Sequence, residues 1–349
     1  MFHPGQHIRL KGSARTNTGR VRDNNEDSVH LWTTHTGHIA LAIVADGMGG
    51  AVAGEEASRI AVEAIQTELT LVGKQMADNH SGFNEDDMAE HLVTVIREAN
   101  DHIVNEASQH PELKGMGTTV TMAFIRDTEL IIGHVGDSRA YRIDGDSGDI
   151  EQITSDHSFV QALVAAGHIT EDEAEEHPMR NVLYRALGQA RDVEVDVYYE
   201  RLNIGDRLVL CSDGLTLHVK PHEIAELAMA TDEPSESSLQ MIDLANQRGG
   251  RDNVSVIIIK VEGAEEMTEP RIEAHDTRPL DDAPPEQDDF GPSESSNYPQ
   301  EEQPDSPIKS YKGIGSDLLA PYLPLSRDLV VTHDSDEILG EGRDSGTPD

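Results

Sequence analysis

A single cysteine, Cys211, stands among 349 residues, so no disulfide framework can form within the chain. It lies inside the apolar run VLCSDG, a setting for a buried, inert thiol; a nucleophilic thiol needs a partly exposed, electropositive surrounding. No Cys or His cluster has zinc spacing, and no GxxxxGK[ST] loop is present. Long apolar runs are missing too. None approaches the ~18 to 20 residues needed to cross a bilayer, and the opening MFHPGQHIRLKG holds no apolar core of signal-peptide length. The expectation is a cytoplasmic protein with no membrane partner. Positive charge is scarce: 27 Lys and Arg face 66 Asp and Glu, a formal net charge of −39. Such a balance argues against binding nucleic acid through its phosphates or lying on anionic lipid.

What is present is organised around IALAIVADGMGGAVAGEEAS, from Ile39 to Ser58. Seven apolar residues run straight into Asp46, three of the next four positions are glycine, and a helical pattern starts near Gly54. A buried strand here delivers a carboxylate to its exposed end, and the glycines let the backbone turn sharply and bring its carbonyls close to whatever the carboxylate holds. Alone, strand-Asp-Gly is an ordinary turn. The construction recurs, however, in LIIGHVGDSRAY at Asp137 and in DRLVLCSDGL at Asp213. Glu26 precedes the strand-like VHLW, and Asp252 precedes the last apolar strand. Strand ends in a sheet can share one edge, so acids distant in sequence can meet there. Oxygen-only ligands imply magnesium, manganese or calcium.

In chain order, residues 8–45 read as a strand, the polar loop TNTGRVRDNNED and two further strands; the loop carries Arg20, Arg22, Glu26 and Asp27. Residues 54–72 and 85–109 carry apolar residues at three- and four-residue intervals, as amphipathic helices do. Strand signals fill 117–153 through GTTVTMAFI, ELIIGHV, RAYRI and IEQI, with DGDSGD as a hairpin turn. A polar insert, 156–188, reads as two short helices starting near Ser158 and Thr170. Strands at 194–199 and 206–211, helices at 221–230 and 235–248 and a strand at 254–261 follow. Residues 263–349 change character, with roughly 22 acids against 6 bases and much Pro and Ser. Too little apolar surface remains there to offset ordering entropy, which predicts an acidic, mostly disordered tail. Its more apolar island, GIGSDLLAPYLPLSRDLVV, either docks on a partner or on the catalytic domain, or is a sticky patch in a linker.

Taken together, RVRDNNED, VADGMGGAVAGEEAS, GMGTT, GHVGDSRAYRI, the DHS to RALG insert, CSDGL and GGRDNVSVI resemble the metal-dependent type 2C (PPM) serine/threonine protein phosphatases in their bacterial form. The resemblance spans roughly residues 8–261 and leaves the tail outside. It implies an α+β fold, a four-layer αββα sandwich of two mainly antiparallel sheets flanked by helix pairs, with residues 156–188 as a flap-like insert. It implies two or three Mn2+ or Mg2+ ions, and phosphomonoester hydrolysis by attack of a metal-bridging hydroxide. Position by position, Asp46 would bridge two ions, with the Gly47 carbonyl, Asp213 and Asp252 completing one shell. Glu26 would reach the second ion mainly through water, Asp137 with Asp213 would hold a third, and Asp27 would orient Glu26 and ion-bound water. Arg22 would grip the substrate phosphate. An arginine presents a planar fork to two phosphate oxygens, and the spacing from Glu26 favours Arg22 over Arg20.

Two positions depart from the family. Met48 stands where animal members carry a histidine, and Ala51 where many bacterial members have the histidine of DGMGGH. No general acid is therefore identified. His157 is expected to be a locally hydrogen-bonded loop histidine, with metal-bound water as the proton source. Phosphorylated proteins and the serine/threonine kinases acting on them are the implied partners, and nothing in the sequence calls for an oligomer. Two other readings remain open: a silent phosphoprotein-binding module on the same fold, and an acidic calcium-binding protein. The filled ligand positions disfavour the first, and the ordered motifs disfavour the second.

Overall fold

Strand β3 (Ile39–Met48) explains its own lack of polar alternation. Ile39, Leu41, Ile43 and Ala45 enter one hydrophobic cluster, while Ala40, Ala42 and Val44 enter another. Both faces are covered, so the period-two signal of a half-exposed strand vanishes. The first cluster is completed by the long helices α1 (Ala51–Asp78) and α2 (Glu85–Gln109). The computed structural model describes residues 7–78 and 84–264, so the expected tail lies outside the described residues from residue 265 onward.

One sheet runs in the order β2 (Asp27–Thr33), β3, β5 (Val120–Arg126), β6 (Glu129–Val135) and β9 (Asp196–Arg201). The two-residue β4 (Gly117–Thr118) pairs with the end of β3. The other sheet runs β1 (His7–Asn17), β11 (Val254–Ala264), β10 (Arg207–Cys211), β7 (Arg139–Ile143) and β8 (Ile150–Gln152). Neighbouring strands are antiparallel throughout. Leu10, Leu208, Leu210, Ile257 and Ile259 of the second sheet fill the space against Ala42, Ala123 and Ile132 of the first. On the far side, beyond the one-turn α5 (Asp213–Thr216), α6 (Pro221–Met229) and α7 (Pro234–Gln247) set Ile224, Ala228, Met241 and Ala245 against Tyr141, Val209 and Ile258. The layers are therefore helix pair, sheet, sheet and helix pair. Burying one such Leu, Ile or Met is worth roughly 1.5–3 kcal/mol, and the three clusters together supply the gross stabilisation that offsets chain entropy.

Several boundaries differ from those expected. Helix α1 begins at Ala51 instead of near Gly54, because Gly49 and Gly50 take φ of 120° and 96° and complete the turn in two residues. The segment GTTVTMAFI, expected as one strand, breaks at Thr119. The Thr119 N–H donates to the Asp46 carbonyl at 2.9 Å, and its hydroxyl accepts from the Asp46 N–H at 2.9 Å, so this residue is turned toward β3. Strand β11 continues to Ala264, opposite His7, beyond the expected end at 261. In the insert, α3 (Phe159–Ala165) follows Ser158, whose hydroxyl accepts the Gln161 N–H, and α4 (Glu171–Glu176) starts from a Thr170–Glu173 capping box. Among the described residues no helix is long and apolar enough to cross a membrane.

The register sets where the acids go. Asp27 lies opposite Asp46 across β2 and β3. Cys211, at the end of β10, lies opposite Val256 of β11 on one side and Arg139 of β7 on the other. Glu26 just before β2, Asp46 at the end of β3, Asp137 between β6 and β7, Asp213 just after β10 and Asp252 just before β11 thus reach one edge of the sandwich.

Candidate active site

At that edge the chain crowds buried carboxylates, and of these Asp252 is paired with Arg22. Burial raises the carboxyl of Asp46 well above its ordinary range, and Asp27, Asp213, Asp137 and Asp252 push the same way. Burial also lifts Asp213 to about 6, with Asp252 adding to it and a hydrogen bond with Asp46 opposing it. Asp137 is raised by burial and by Asp213 and Asp156, against the pull of Arg139. Glu26 is raised by burial, with Arg22 opposing. Asp27 is lifted to about 7 by burial although its Oδ2 accepts from Ser212 at 2.8 Å and Ser255 at 2.6 Å.

The other oxygen of Asp27, Oδ1, is buried with no hydrogen-bond partner. An unpaired buried carboxylate oxygen is costly, and here it sits among other acids. The donor set is all oxygen, which fits a hard dication and leaves no place for zinc on thiolate. Among the described residues, no three His, Cys, Asp or Glu side chains gather tightly enough to cage one ion on side chains alone. Carboxylates spread along an edge therefore need backbone carbonyls and water to complete any shell, a role the sequence reading gives to Gly47. The Gly47 N–H donates to the Glu26 carbonyl at 3.1 Å. A Cβ at Gly47 would collide with the Gly54 carbonyl, and one at Gly54 with Glu26 Oε2, so both glycines permit this approach of β3, α1 and the Glu26 loop.

Arg22 reaches the acids: its Nη2 donates to Asp252 Oδ2 at 2.7 Å while its side chain stays 49% exposed. The backbone N–H of Arg20 donates to the Gly250 carbonyl at 2.7 Å. The loop carrying both arginines is stapled by a residue the sequence reading passed over. Asn253 accepts the Glu26 N–H at 2.8 Å and donates to the Thr18 and Asn24 carbonyls at 2.9 and 2.8 Å. Ser212, Ser255 and Thr119 were missed as well. Each adjoins or closely follows a motif acid or glycine, and no local pattern in the sequence marks a hydroxyl that serves a carboxylate some 200 residues away.

Cys211 is buried and free, its thiol pushed up to about 12 by burial, so it is inert at neutral pH. His157 differs from expectation. It is buried, and its ring lies against Gly136 at 3.0 Å, Asp196 at 3.1 Å and Arg185 at 3.1 Å, far from it in sequence. A cavity of about 610 Å3 opens from Asp137 and Asp213, bounded on the insert side by Gln161 and Arg180 and on the other by Leu217 and Lys220. The edge therefore brings carboxylates together, with the Arg22 guanidinium beside them and a cleft leading away.

The family described as protein phosphatase 2C matches residues 16–248. The serine/threonine phosphatase stp of Listeria innocua is 36% identical over 246 residues, 70% of this chain and 94% of that protein. The serine/threonine protein phosphatase PstP of Mycobacterium tuberculosis is 39% identical over 252 residues, covering 72% of this chain and 45% of that longer protein. The crystal structure of the catalytic domain of a serine/threonine protein phosphatase PstP in complex with two manganese ions superposes with a TM-score of 0.62 at 36% identity. That match covers 73% of this chain and 99% of the other.

Proposed function

The chain belongs to the protein phosphatase 2C family, and on that premise we propose how its residues act as a metal-dependent serine/threonine protein phosphatase. The observation that carries the assignment to these residues is the edge of raised carboxylates around the unpartnered Asp27 Oδ1, with Arg22 beside it. Manganese or magnesium, when bound, acidifies water and screens the charge of the phosphate. Asp46, Asp213 and Asp252, completed by the Gly47 carbonyl and water, would hold one ion; Asp46 and Glu26 would serve a second, and Asp137 with Asp213 a third. Asp27, anchored by Ser212 and Ser255, orients water at the ions with its free oxygen. Arg22 exchanges Asp252 for two phosphate oxygens when substrate arrives, an exchange its half-exposed position permits.

In the reaction a water oxygen attacks phosphorus, the phosphorus–oxygen ester bond breaks, and the departing serine or threonine oxygen takes up a proton. Neither Met48 nor Ala51 can supply it, and the Nε2 proton of His157 is committed to Asp196, which leaves solvent water as the donor. The substrates are exposed phosphorylated loops, and the enzyme opposes cytoplasmic serine/threonine kinases. Hydrolysis of a phosphothreonine peptide with manganese, with magnesium and with chelator tests this reading. Activity should need the metal. It should fall at least about a hundredfold in Asp46→Asn and Asp213→Asn, beyond the roughly ten- to hundredfold cost of losing a supporting hydrogen bond. Chelator-resistant turnover would contradict it.

A further inference from the structure

Where the insert leaves β8, His157 is 2% exposed with all its polar atoms engaged. Its N–H donates to the Gly136 carbonyl at 2.7 Å, and its carbonyl accepts from Tyr184 at 3.0 Å. Its Nδ1 accepts the Gly136 N–H at 3.0 Å, which leaves the ring proton on Nε2, donated to Asp196 Oδ2 at 3.1 Å. Gly136 is therefore held at both its N–H and its carbonyl by one residue of the insert. The preceding residue, Asp156, takes the Arg139 guanidinium in a fork, with contacts of 2.9 and 2.7 Å. Asp137 lies between these two gripped positions. The turn has little freedom of its own: Gly136 has φ of 115°, and a Cβ there would lie 2.5 Å from Thr119 Cγ2. The same stretch lines the cavity, which has Asp137 in its wall together with Ser158, Gln161 and Arg180 of the insert.

We propose that Asp156 and His157 form a clamp through which the insert positions Asp137 for its ion, with His157 a positioning residue and not a proton donor. This rests on the reading of Asp137 as an ion ligand. It explains why a histidine beside the site is buried against Asp196 and Arg185 and aims its acceptor nitrogen at a backbone amide. It also makes the insert and Asp137 one mechanical unit, so that whatever seats against the insert in the cavity bears on the third ion.

The test compares His157→Ala, His157→Gln and His157→Asn in the full chain. An Asn oxygen can take the place of Nδ1 and keep the Gly136 bond, whereas a Gln places its polar atoms near Nε2 and loses it. Amide hydrogen exchange at Gly136 is read in the metal-free protein, and the manganese concentration for half-maximal activity in the loaded one. The Ala and Gln variants should exchange faster at Gly136 and need about ten- to hundredfold more manganese, with Asn restoring both toward wild type. A proton donor would be lost equally in Asn and Ala, and Gly136 exchange would not move; either result overturns the clamp. Asp137→Asn separates the premises. If it leaves the manganese requirement unchanged, the ligand reading of Asp137 fails, while Gly136 exchange still judges the clamp. If it raises the requirement and His157→Ala does not, the clamp fails. Should His157→Ala not fold, the Asn and Gln variants carry the same comparison.

Discussion

Asn253 spends its whole amide on one loop, holding Glu26, Thr18 and Asn24 through three hydrogen bonds. Asn253→Ala removes those three hydrogen bonds, which should cost roughly 3 kcal/mol in urea unfolding and loosen the loop that carries Arg22 and Glu26. The accompanying kinetics should show a raised KM; unchanged KM with lowered stability would confine Asn253 to a structural part. Arg22→Lys keeps the charge but loses the fork, and about a tenfold rise in KM for phosphopeptide is expected. Equal KM would remove Arg22 from phosphate binding. At this scale the sequence was legible for the acids, because each terminates or precedes an apolar strand. It was illegible for their supports. Asn253, Ser212 and Ser255 act across chain separations that no local pattern records, and the partners of His157 are brought to it by the return of the insert and by β9.

The elements were more readable than their ends. Ser158 and Thr170 announced α3 and α4, since side-chain caps are local chemistry. The start of α1 rests on the positive φ of Gly49 and Gly50, and the break at Thr119 on its hydrogen bonds to β3, and neither position follows from the helical and strand periodicities. The junction of β3 and α1 also carries a test. In Gly54→Ala the new Cβ meets Glu26 Oε2 and the Gly47 backbone, so the carboxylate must swing away from the edge. Helix content by circular dichroism should be unchanged, while the manganese requirement rises about tenfold or more. A requirement equal to wild type would show that Glu26 does not serve an ion from this position.

Across the whole molecule, antiparallel register turns acids scattered from Glu26 to Asp252 into one edge, and their convergence could not be read from spacing alone. The four layers came from the family resemblance, with which the strand-rich segments interrupted by helix pairs agree. The assembled edge has a consequence for pH. Asp27 and Asp213 have folded-state values near 7 and 6, above 3.8 for the free side chain. As pH rises from about 4 to about 7 the unfolded chain sheds protons that the metal-free fold retains, so these two groups destabilise the metal-free fold over that window. An ion binding there must displace the retained protons. The most direct measurement is therefore calorimetric titration of manganese into the metal-free full chain at pH 6, in two buffers of different ionisation heat, alongside Asp46→Asn. The account predicts binding that releases protons at pH 6, releases fewer at pH 8, and is weakened in Asp46→Asn. Manganese that binds wild type no more tightly than Asp46→Asn, or binds with no proton release at pH 6, would contradict it.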